Sequence, residues 1–126
     1  MILFLCAQDL GYFWLGLIKD KSFVVLEKIN NSPEFILKKL DEFIITNNIN
    51  IDKLDGISIV NGPGSFTASR LSLMIANGMH FAKAIPIFVV ENPLKLEPEI
   101  LIKKNGTGKQ SLDYVAPAYD RPPHIT

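Results

Sequence analysis

The sequence has little of several things. It has one cysteine, Cys6, so no internal disulfide can form and a secreted disulfide scaffold is excluded. It has no charge excess: thirteen Lys and Arg balance thirteen Asp and Glu. A neutral chain is a poor autonomous binder of DNA or RNA, because neutralising phosphates needs a basic surplus. It has two histidines, His80 and His124, far apart and without a partner at metal-ligand spacing, so no metal site is expected. No apolar run approaches the roughly 18 to 20 residues of a membrane span. Met1 to Ala7 is apolar, but no basic residue precedes it and Gln8-Asp9 ends it, unlike a signal peptide. A soluble, cytoplasmic chain without membrane contact is expected.

What is present is apolar. Charged residues are 21% of the 126, below the usual level of about 25%, and the mean hydropathy is +0.21. The length suits one domain with a sizeable core. Ile2 to Cys6 is a short apolar run, the mark of a strand buried on both faces. Tyr12 to Ile18 and Ser22 to Glu27 are β-rich runs around the polar break Lys19-Asp20-Lys21, which predicts a hairpin. The period then changes. Ser32 is a good N-cap, Pro33 suits the first helical position, and Ile36, Leu37, Leu40, Phe43 and Ile44 form one apolar helix face. Ile57 to Val60 reads as a strand, Ser65 to Ala84 as a second helix, and Ile87 to Val90 as a fifth strand.

The order βββαβαβ implies an α/β fold: one mixed sheet of about five strands flanked by helices. It is the layout of a ribonuclease-H-like half domain of the actin, hexokinase and Hsp70 type. Residues 1–93 carry that pattern and residues 94–126 form a short C-terminal segment and tail. There, Leu94 to Lys104 reads as a short helix interrupted by Pro98, Asn105 to Gln110 as a polar turn or loop, and Asp113 to Ala116 as a last strand.

The distinctive segment is Asn61-Gly62-Pro63-Gly64-Ser65-Phe66-Thr67-Ala68-Ser69-Arg70, between a buried strand and a helix start. Glycines there allow close approach of another group, and helix-start amides attract anions. Two readings stay open: a phosphate-facing loop, or a tight connection in which Ser65 caps the helix. The following helix is apolar around most of its circumference. Leu71, Met74, Ile75, Gly78, Met79 and Ala82 form one stripe, and one sheet cannot cover the rest. Its second cover is either the remainder of this chain or a partner subunit, with the partner favoured.

Other constellations fail. Gly106-Thr107-Gly108-Lys109 invites a P-loop reading, but Lys103 stands where the first glycine should be and Gln110 replaces the Ser or Thr. Cys6 has no nearby base and reads as an inert core thiol. Asp9, Asp20 and Glu91 show no pairing for acid–base work.

Gly62 to Leu71 resembles the G-P-G-S-F-T-G-x-R-x-G signature of the TsaB (YeaZ) family. Leu54 to Ile59, Ala76-Asn77-Gly78-Met79, Ile85-Pro86-Ile87 and the tail Pro117 to Pro123 match further family segments. That family is the non-catalytic sister of the threonylcarbamoyl-transfer enzyme TsaD, and both act in making N6-threonylcarbamoyladenosine at position 37 of tRNA. The resemblance implies a scaffold subunit, not an enzyme, that binds and stabilises a TsaD-like catalytic subunit, with a TsaE-like ATPase as a further partner and tRNA met only indirectly. It implies a motif loop of Gly62, Pro63, Gly64, Ser65, Phe66, Thr67 and Arg70. It also implies a partner interface of Ile36, Leu40, Phe43, Leu71, Met74, Ile75, Gly78, Met79 and Ala82. No cofactor is expected beyond weak ATP or ADP at a subunit interface. The alternatives are a nucleotide-binding ATPase or kinase-like fragment using Gly62 to Thr67, and a homodimeric regulatory protein. Departures from the family are Cys6-Ala7-Gln8 where it has D-T-S, and Ala68 and Ser72 in place of glycines; the expectation is of a short member whose second half domain is reduced.

Overall fold

The computed structural model describes residues 1–61 and 64–111. Among these residues, six strands form one mixed sheet: β1 (Ile2–Cys6), β2 (Phe13–Lys19), β3 (Ser22–Ile29), β4 (Gly56–Val60), β5 (Ile87–Val90) and β6 (Lys109–Ser111). Their order is β3-β2-β1-β4-β5-β6. β1, β4 and β5 run parallel, while β2, β3 and β6 are antiparallel to their neighbours. The first five strands thus have the ribonuclease-H-like arrangement, with a meander on one side and two crossover units on the other.

The parallel strands explain the apolar runs. Leu3, Phe4 and Leu5 are all fully buried, because each face of the sheet is covered. One face carries Leu3, Leu5, Leu15, Ile57, Ile59 and Ile87 against α1 (Ile36–Thr46) and α2 (Phe66–Lys83). The other carries Phe4, Cys6, Ile18, Val60 and Val90, where α3 (Pro98–Asn105) contributes Leu101 and Ile102. Phe4 and Phe23 meet edge to face on that side at 5.1 Å between ring centres.

Several expectations are corrected. Among the described residues the sheet has a sixth strand, Lys109 to Ser111 paired with β5, so Lys109 and Gln110 leave the expected polar turn, which is confined to the residues before them. Pro98 does not interrupt a helix but begins one, at the position where its missing N–H costs nothing. Ser32 does not cap α1. A short 3-10 turn, Pro33–Phe35, intervenes, and the Ser32 hydroxyl donates to Glu34 Oε1 at 2.9 Å. The hairpin turn is the two residues Asp20 and Lys21, both at positive φ, because Lys19 already pairs with Ser22. The strand expected at Asp113 to Ala116 lies outside the described residues. Among the described residues, no helix is long and apolar enough to cross a membrane.

Candidate functional site

Three parallel strands end at the same edge of the sheet, and the motif loop lies there. β1 turns toward β2 while β4 turns toward β5, so the crevice between β1 and β4 is the switch point where α/β sheets commonly take ligands. Here the loops after β1 and β4 touch each other. The Ser65 amide donates to the Gln8 carbonyl at 3.1 Å. Gly64 is pressed so closely on Gln8 that a Cβ would stand 2.7 Å from that carbonyl oxygen, so only glycine fits. The Gln8 side chain turns the other way and pairs with Asn92 beyond β5. The Asn61 amide donates to the Val90 carbonyl at 3.0 Å.

The helix start is capped from within. Ser65 Oγ accepts the Ala68 amide at 3.3 Å. Thr67 and Arg70 lie exposed beside it, and Arg70 is engaged by another group. Gly62 and Pro63 lie outside the described residues, as does the side chain of Phe66. Among the described residues no group of three or more His, Cys, Asp or Glu could hold a metal ion. Cys6, next to this loop, is buried, and burial raises its thiol pKa to about 12. His80 closes the far end of α2, its Nδ1 2.9 Å from the Ile85 carbonyl. A carbonyl can only accept, so Nδ1 carries the proton there.

The second feature is a groove of about 540 Å³ between α1 and α2. Its lining includes Ile36, Leu40, Leu71, Met74, Ile75, Gly78, Met79 and Ala82, which is every residue expected at a partner interface except Phe43. Their roles differ. Ile36, Leu40 and Phe43 are only 1%, 4% and 3% exposed and belong to this chain's own core. Their spacing reflects the sheet below: Ile36 and Leu40 form the groove's floor, and Phe43 is buried in the core without lining the groove. The accessible apolar groups are Met74 and Leu37 on the groove and Phe81 beyond it, at 63%, 66% and 82% exposure. Gly78 has open space where a Cβ would stand. Phe81 follows Met74 by seven residues and so lies on the same side of α2, a spacing legible in the sequence. The groove rim carries Glu34, Asp41 and Lys83, the last paired with Asp52 at 3.3 Å.

A family model described as TsaD: tRNA N6-adenosine threonylcarbamoyltransferase matches residues 29–96, just over half of the sequence. The chain belongs to the TsaD family that this model describes. Its similarity to a curated relative falls on the TsaB (YeaZ) side. It is 32% identical over 57 residues to the tRNA threonylcarbamoyladenosine biosynthesis protein TsaB of Haemophilus influenzae, covering 45% of this chain and 24% of that protein. Two solved structures share the fold: YeaZ from Pseudomonas aeruginosa, and a second structure described as an uncharacterized protein with similarity to peptidase YeaZ from the same organism. Each superposes with a TM-score of 0.63 at 18% identity, covering 72% of this chain and 43% of the other. The chain thus spans about a quarter of the TsaB relative and under half of the YeaZ structures.

Proposed function

We propose that this TsaB-type chain acts in making threonylcarbamoyladenosine in tRNA as a non-catalytic subunit that binds and stabilises a TsaD-like catalytic partner. The observation that carries this reading is the α1–α2 groove with its exposed rim. Met74, Leu37 and Phe81 are large apolar side chains left in water on two adjacent helices. An apolar groove with large apolar side chains exposed on and beside it marks an interaction site. The exposed stretch beside Gly78 offers a partner helix a close approach. The contribution is mechanical: a packed apolar interface holds the partner in one conformation, and no reacting group of this chain takes part.

We assign no cofactor to the chain itself. The nucleotide-binding alternative has less support, because Gly64 and Ser65 of the motif loop are packed on and hydrogen-bonded to the Gln8 backbone. Titration of the chain with the TsaD-like subunit from the same cell tests the proposal. A one-to-one complex that is lost with Met74→Asp supports it. A chain that only pairs with itself would favour the homodimeric reading.

A further inference from the structure

At the opposite end of the sheet lies a larger trough, about 900 Å³, that the proposed function leaves unused. Three lysines from separate elements line it: Lys19 at the end of β2, Lys21 in the hairpin turn and Lys103 in the last turn of α3. All three are exposed, and none is in an ion pair among the described residues. The opposing charge is small. Asp55 is engaged by the Met1 amino group at 2.6 Å, which leaves Asp20 in the trough and Glu99 in the shallower groove adjoining it. The neutral overall charge of the chain therefore hides a local cationic surface.

The wall of the trough is the Gly106-Thr107-Gly108 turn, the segment whose P-loop reading fails. It is held rigidly. The Gly106 amide donates to the Ile102 carbonyl at 2.8 Å, and Ser58 Oγ donates to the Thr107 carbonyl at 2.8 Å. Gly108, at φ +97, is packed so tightly that a Cβ would stand 2.3 Å from the Val89 oxygen. Among the described residues no aromatic ring lines the trough, so they offer no platform for stacking a base. Charge on several elements along an open trough suits successive phosphates of a strand more than one enclosed phosphate.

We infer that this trough binds the phosphate backbone of RNA, through Lys19, Lys21 and Lys103. The choice of tRNA as the probe rests on the proposed function above. The binding is sequence-independent and salt-sensitive, and it orients an RNA that other subunits read.

Fluorescence anisotropy with a labelled, unmodified tRNA transcript tests this on the full chain. The variants are Lys19→Gln/Lys21→Gln/Lys103→Gln and a charge-matched control, Lys28→Gln/Lys38→Gln/Lys95→Gln, at residues that do not line the trough. Wild type and control should bind alike at low salt. The trough variant should bind roughly tenfold more weakly, with the slope of log affinity against log salt reduced by about 2. Equal weakening in both variants, or no tRNA binding by wild type at low salt, overturns the inference. So does tripolyphosphate binding that the trough variant loses while tRNA binding is unchanged. Complex formation with the TsaD-like subunit, measured without RNA on the same variants, should be unaffected. The two readings therefore fail separately.

Discussion

Gln8 and Asn92, 84 residues apart, hold each other across the end of the sheet. Asn92 Nδ2 donates to Gln8 Oε1 at 2.9 Å, and Gln8 Nε2 donates to the Asn92 carbonyl at 3.2 Å. Asn92 is 1% exposed and also exchanges two hydrogen bonds of 2.9 Å with the backbone of Leu96. The pair locks the β1 loop to the turn after β5, beside the motif loop.

Removing either partner leaves buried polar atoms unpaired, which costs about 1–3 kcal/mol. Asn92→Ala should be the more damaging, since Asn92 is deeper and holds the Leu96 turn as well. Urea denaturation should show midpoints falling in the order wild type, Gln8→Ala, Asn92→Ala. An Asn92→Ala protein as stable as wild type would mean that the clamp is ornamental.

Two glycines should respond oppositely to alanine. Gly108→Ala places a Cβ against the Val89 carbonyl in a backbone conformation that L residues avoid, and should lower thermal stability markedly. Gly78→Ala meets nothing within 4 Å in the isolated chain and should add roughly 0.5–1 kcal/mol of helix stability. If a partner helix packs closely on α2, Gly78→Leu should weaken that association while the isolated chain stays folded. Thermal melts and titration on the same variants separate the two effects.

Cys6 gives a pH dependence with a definite sign. Its thiol titrates near 9.0 in the unfolded chain and near 12 in the fold, because burial disfavours the thiolate. The unfolded chain therefore releases its proton first. The thiol's contribution is intact below pH 9 and is lost as pH rises from about 9 toward about 12. Wild type should lose thermal stability over that window more steeply than Cys6→Ala does. Cys6 should also resist alkylation by iodoacetamide until the chain is unfolded.

Much of this fold is legible in the residues. Ile2 to Cys6 and Ile87 to Val90 form strands with those bounds, since short apolar runs with turns around them permit little else. Ser65 caps α2 as its position before the apolar stripe implies. β6 was illegible because a short edge strand of Lys, Gln and Ser carries no hydrophobic pattern, and β5 alone supplies its pairing. The Gln8–Asn92 clamp was illegible because its residues are remote in sequence and neither belongs to a motif. At the candidate interface, helical spacing could not distinguish the face of α1 that meets the sheet from the face that meets solvent. Ile36, Leu40 and Phe43 repeat at intervals that fit both, and the sheet claims them.

The central claim concerns the exposed face of α2, and Met74 tests it with least ambiguity. Its side chain is 63% exposed, so Met74→Asp should leave the isolated chain folded. The measurement is the affinity of the wild-type and Met74→Asp chains for the TsaD-like subunit by isothermal titration calorimetry, with circular dichroism confirming equal folding. Tight binding by wild type and a loss of about 2 kcal/mol or more in the variant is the expected result. Equal affinity of the two chains, both folded, would contradict an interface on this helix.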